Sequence, residues 1–188
     1  MVFTNPENSI FQCTIQKPVH YVGVGLHSGH RVSMSLLPAP AGSGIQFRRQ
    51  DIDPAINVIE ADWRNVVDTR LCTVLGNKHG VTVGTVEHLL AAVRFCGIDN
   101  LIIELNGDEV PILDGSSAPM IALIRSVGLR DQEQPREAIR IRRPIEIRQG
   151  DHQATLLPSP VPRISVNIDF DDPAIGKQSL SIALAQDL

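Results

Sequence analysis

The sequence predicts an α+β protein of two repeated domains, each a mixed or antiparallel sheet with helices packed on one face, the second of them incomplete. Three observations carry that prediction. Short β-branched runs are punctuated by Pro and Gly, two stretches place apolar residues at helical spacing, and an early pattern recurs near the end. At 188 residues, with 43% hydrophobic and 20% charged side chains, the chain can bury a substantial core. A net charge of -4, with Lys and Arg scattered, gives no basic field for tracking nucleic acid. No apolar run approaches the ~18 residues of a membrane span. The opening MVFTNPENSIFQ has neither the basic nor the apolar region of a signal peptide, so a cytoplasmic location is expected.

Taken in order, Ile10 to Lys17 reads as a first strand, broken by Pro18. The following VHYVGVGLHSGHR reads as a Gly-rich and His-rich loop. His27 and His30 stand three apart in it, but with no third ligand nearby they indicate a loop and not a metal site. Val32 to Leu37 alternates with Ser33 and Ser35, as a half-buried strand does, and Pro38 and Pro40 end it. Ile45 to Arg48 and Ile56 to Ile59 are further short strands. Leu71 to Leu75 and Val81 to Val83, joined by Gly76-Asn77-Lys78-His79-Gly80, have hairpin chemistry.

The hairpin leads into GTVEHLLAAVRFCG at 84 to 97, where Val86, Leu89, Leu90 and Val93 make one apolar helical stripe. Thr85 is the expected N-cap and Gly97 the expected C′ residue. Leu101 to Leu105 is a strand, Asp114-Gly115 a tight turn, and Ser116 or Ser117 can cap a second helix. That helix carries Met120, Leu123, Ile124 and Val127 on its apolar side and stops at Gly128. Residues 130 to 138, RDQEQPREA, have the composition of a linker between a first domain at 1 to 129 and a second at 139 to 188. Cys13, Cys72 and Cys96 fit neither a disulfide framework nor a C-x-x-C zinc site, and Cys13 and Cys96 read as small buried hydrophobes.

Beyond the linker, Ile141-Arg142-Arg143-Pro144-Ile145 echoes Ile15-Gln16-Lys17-Pro18-Val19. Thr155-Leu156-Leu157-Pro158-Ser159-Pro160 likewise echoes Ser35-Leu36-Leu37-Pro38-Ala39-Pro40. The interval is shorter in the second copy, and no counterpart of the 84 to 97 helix follows, so the chain reads as cut in mid-domain. An unpaired half-domain of this kind exposes sheet edge and apolar surface, which favours association or poor order beyond about residue 130.

Glu87 and His88 fall off the apolar stripe and project from the first helical turn. The partial positive charge at a helix N-terminus favours an ionised carboxylate and disfavours imidazolium, the forms a general base and a metal ligand require. A first-turn Glu is also ordinary dipole complementation, and an adjacent His is often a surface residue. The dipeptide alone leaves both readings open.

Seven blocks in order settle the matter further: GVGLHSG at 23 to 29, LLPAP at 36 to 40, TRLCTVL at 69 to 75, TVEHLLAA at 85 to 92, GIDNLIIEL at 97 to 105, PILDGSSAP at 111 to 119 and IDFDDPAIG at 168 to 176. Through them the chain resembles the UDP-3-O-acyl-N-acetylglucosamine deacetylases, zinc amidases of lipid A synthesis. The resemblance implies that His88 is a zinc ligand and Glu87 the general base, that Leu71 and Cys72 line the substrate site, and that Asp114 supports it. Turn formation is an equally good account of Asp114. It further implies UDP-3-O-acyl-N-acetylglucosamine as substrate and a monomer when full length.

The family completes its zinc site with a His and an Asp four apart on a helix of its second domain, and a further His there is the general acid. No matching positions occur before Leu188. Two expectations of different class follow. A complete protein is a zinc hydrolase, whereas these 188 residues alone are a non-catalytic fragment or folding module holding no stoichiometric zinc. An RNA-binding α+β module is disfavoured by the charge.

Overall fold

The computed structural model describes residues 10–183, which divide after Arg136 into two compact units. In the first, β1 (Phe11–Ile15), β2 (Val19–Val24), β3 (Arg31–Pro38), β4 (Ile45–Arg49) and β5 (Val58–Glu60) lead through a single 3-10 turn at Trp63–Asn65 to β6 (Val66–Asp68), β7 (Val74–Gly76) and β8 (Thr82–Val83). There follow α1 (Glu87–Phe95), β9 (Leu101–Leu105), α2 (Ala118–Val127) and β10 (Leu129–Pro135). The main sheet has the order β2-β3-β9-β4-β5; β4 and β9 run parallel and the other neighbours antiparallel. This is an α+β arrangement, as expected.

Alternation decides which face is buried. Val32, Met34 and Leu36 of β3, Phe47 of β4 and Leu101, Ile103 and Leu105 of β9 point to one side. They meet Leu89, Ala92 and Val93 of α1 and Met120 and Ile124 of α2 in a single apolar core. Full burial stabilises each such side chain by about 1.5 to 3 kcal/mol, and that packing, more than propensity, holds helices this short.

The C-terminus of α1 closes as the sequence predicts. Gly97 adopts φ 68°, its N–H donates to Arg94 O at 3.0 Å, and the Ile98 N–H donates to Val93 O at 3.1 Å. These are the two bonds of a Schellman cap, which only a residue tolerant of left-handed backbone closes without strain. At the other end the expected cap is wrong. Val86 is the N-cap, no side chain caps the helix, and Thr85 is itself left-handed at φ 56°.

Three further expectations are corrected. Val19–Val24, read as part of a loop, is the edge strand β2. Gly23 lies inside it because a Cβ there would come within 2.7 Å of Tyr21 and 2.8 Å of Pro111; the glycine marks close approach and not a turn. The Leu71 to Leu75 run begins as a strand only at Val74. Residues 130 to 138 are no linker along most of their length, since Leu129–Pro135 pairs antiparallel with β1.

The polar composition misleads here because β10 is one half of a two-stranded ribbon, its side chains mostly facing water. Its inward Gln132 accepts from Asn100 Nδ2 at 2.7 Å and donates to Ala39 O at 2.9 Å. Arg136 then clasps Asp99, at 2.8 Å from its Nη2, and donates from the same nitrogen to Gly97 O at 2.8 Å.

The second unit comprises two antiparallel hairpins, β11 (Ile145–Gln149) with β12 (His152–Leu156) and β13 (Arg163–Asp169) with β14 (Lys177–Ala183). No helix occurs among its described residues. The echoed residues hold one register: Val19 lies opposite Leu36 in the first unit, and their counterparts Ile145 and Leu156 lie opposite one another in the second.

Candidate functional site

Two segments cross ahead of α1. The Val86 N–H donates to Thr73 O at 3.4 Å, and the Thr73 N–H donates to Glu87 Oε2 at 3.1 Å. Glu87, the first residue of α1, is therefore half-buried and held against the turn that carries Leu71 and Cys72. His88 follows, also half-buried and outside the core, and its carbonyl accepts a hydrogen bond from Ser117 Oγ at 2.9 Å. Ser117 is the N-cap residue of α2, but its hydroxyl is used on α1 and not on its own helix.

Leu71 and Cys72 line an open groove of about 730 Å³. Leu71 is almost fully exposed and Cys72 half-buried beside Gly84. The other walls include His27, Asp68, Arg70, Thr85 and Glu109. Glu87, His88 and Asp114 are not among the lining residues. Arg70 grips Asp68 with its Nε and Nη2, and this guanidinium holds the Asp68 carboxyl well below the usual range.

Asp114 is exposed and spends its Oδ1 on the backbone N–H and hydroxyl of Ser116, both at 2.9 Å, which hold its carboxyl low. It forms the turn ahead of α2, with Gly115 donating to Ile112 O at 3.0 Å. Among the described residues, no three His, Cys, Asp or Glu side chains gather where a metal could sit.

Glu109, which sequence reasoning passed over, is a buried acid of this groove held by three separate residues. It is 4% exposed and accepts from the backbone N–H groups of His27 at 2.9 Å and Ser28 at 2.8 Å, and from Thr85 Oγ1 at 2.9 Å. Burial works to raise its pKa; the His27 N–H, the Ser28 hydroxyl and N–H, and the Thr85 hydroxyl outweigh that and hold it at about 2. Its trace in the sequence is two loop glycines, whose meaning appears only in the structure. Gly25 has no room for a side chain, since a Cβ would lie 2.3 Å from Glu109 Oε2, and Gly29 turns the loop at φ 65°.

By sequence, this α+β scaffold falls in a family whose members carry the name deacetylase. Residues 12–188 match the family model described as LpxC, UDP-3-O-acyl N-acetylglycosamine deacetylase, and the chain belongs to that family. A relative from Idiomarina loihiensis, named UDP-3-O-acyl-N-acetylglucosamine deacetylase, is 46% identical over 93% of this chain and 57% of its own length. One of the same name from Myxococcus xanthus is 51% identical over 93% of this chain and 55% of its own. A third, from Shewanella baltica, is 42% identical over 93% and 57%. The chain thus spans somewhat more than half the length of these relatives. No helix among its described residues is long and apolar enough to cross a membrane.

Proposed function

We propose that this chain supplies one wall of a zinc-dependent deacetylase site that removes the N-acetyl group of UDP-3-O-acyl-N-acetylglucosamine in lipid A biosynthesis in the cytoplasm, giving acetate and the free amine. The observation that carries the reading is the placement of Glu87 and His88 side by side at the head of α1, half-buried and outside the core.

His88 fits a zinc ion as one neutral nitrogen donor. A tight site needs more donors, and the described residues offer no cluster of them. Zinc bound through His88 would supply the Lewis acidity that makes a water nucleophilic near neutral pH. Glu87 would serve as the base, accepting a proton from a water that attacks the acetamide carbonyl. The Thr73 N–H holds Oε2 of Glu87, which leaves Oε1 as the oxygen for the proton. Leu71 and Cys72, on the groove wall, meet the substrate; Asp114 supports the site indirectly by shaping the turn from which α2 reaches the His88 carbonyl through Ser117. The active protein is a monomer that binds no nucleic acid.

The test is Glu87→Gln in a protein long enough to turn over substrate. Turnover should fall by about 10²- to 10⁴-fold, the usual worth of a general base, with zinc content unchanged. Near-normal turnover would refute the assignment. These 188 residues alone should retain no stoichiometric zinc after dialysis and show no deacetylase activity; about one zinc per chain would overturn that.

A further inference from the structure

The loop at 25–30 and the head of α1 are far apart in sequence and meet at one carboxylate. Glu109 Oε1 accepts from the His27 N–H and the Thr85 hydroxyl, and Oε2 from the Ser28 N–H. The main chain on either side is also committed: Gly84 N–H donates to Asp108 O at 2.8 Å and Val110 N–H to Gly84 O at 3.1 Å. Residues 108–110 therefore bracket Gly84 with backbone and hold Thr85 with a side chain.

Thr85 needs that hold. It is 2% exposed and β-branched, yet sits at φ 56°, where such residues are strained and persist only when their surroundings over-determine them. Its φ sets the direction in which the chain enters α1, two residues before Glu87. A rotation there swings the carboxylate of Glu87 and the ring of His88 together.

We propose that Glu109 is a positioning residue: through the Thr85 hydroxyl it fixes the left-handed turn that aims Glu87 and His88, and through the His27 and Ser28 amides it ties the loop at 25–30 to the same point. What the aimed pair is for rests on the hydrolase reading above; that it is aimed this way does not. The buried carboxylate is balanced by N–H and O–H donors, so its charge is spent on fixing backbone and not on meeting a ligand.

The test uses this chain, with backbone amide resonances of Glu87 and His88 and hydrogen exchange at Val86 as readouts. Thr85→Val removes the hydroxyl and keeps the shape; it should shift both resonances and speed Val86 exchange by about tenfold. Thr85→Ser keeps the hydroxyl and should restore both, including folding itself should the valine form prove unstable. Gly25→Ala acts from the far side by pushing on Glu109 Oε2 and Ser28 Oγ, and should move the same two resonances although they lie some sixty residues further along the chain.

Confinement of the Gly25→Ala shifts to residues 25–30, or failure of serine to restore what valine loses, would overturn the proposal. Neither result depends on catalysis. Responding resonances with turnover intact in Glu87→Gln would sink the hydrolase reading alone, and the reverse pattern would sink this one alone.

Discussion

Glu109 also makes a prediction about acid stability that can be worked through. Its carboxyl is held at about 2 in the folded protein against an ordinary 4.5. A lowered folded pKa stabilises the protein above the unfolded value, and the benefit is lost as pH falls through the folded value. With ~1.4 kcal/mol per unit, the ion contributes about 3 kcal/mol at pH 7 and only about 1 kcal/mol at pH 3.

Other carboxylates held low, Asp51 by Arg49 and Asp114 by Ser116, lose stability over the same range. The difference between wild type and Glu109→Gln isolates the one group. Urea unfolding of both proteins at pH 7 and pH 3 should show a gap that narrows by about 2 kcal/mol at the lower pH. A gap of the same size at both values would mean that the ionised form is not what the His27, Ser28 and Thr85 donors select, and the account of this carboxylate would be wrong.

Phe47, fully buried in the centre of the sheet's inner face, should lose about 3 to 5 kcal/mol on Phe47→Ala by the same denaturation assay. Arg136→Ala removes charged hydrogen bonds to Asp99 and Gly97 O; it should cost about 2 to 3 kcal/mol and raise hydrogen exchange at Gly97 and Ile98 before other sites. Burial pushes the Cys13 thiol up to about 11 and raises that of Cys96, and both are almost fully enclosed. Iodoacetamide at neutral pH followed by peptide mass spectrometry should therefore find Cys72 alkylated first.

Both helices were legible in the sequence because each has a full apolar stripe and a glycine stop, and Gly97 and Gly128 end α1 and α2 as read. The strands around Val32 and Leu101 were legible because one of their faces is core. β10 was not, since a two-stranded ribbon asks little burial of its side chains, and β2 was hidden by glycines serving close approach. Of the candidate site, periodicity set Glu87 and His88 off the apolar stripe of α1 but left their role open, and only the resemblance gave them one. What aims the pair was not legible: Thr85 resembles an ordinary cap until its φ is known, and the partner of Gly25 stands 84 positions away at Glu109.

The sheet order has a consequence for how the protein comes into being. β9 lies between β3 and β4, so those two strands never touch and both keep open edges until a strand some fifty residues later in the chain arrives to separate and join them. Assembly of the centre thus waits on closure of a long loop, which slows folding and leaves sticky edges exposed on the way. Conditions that delay Leu101–Leu105 from seating should favour aggregation over misplacement of the helices.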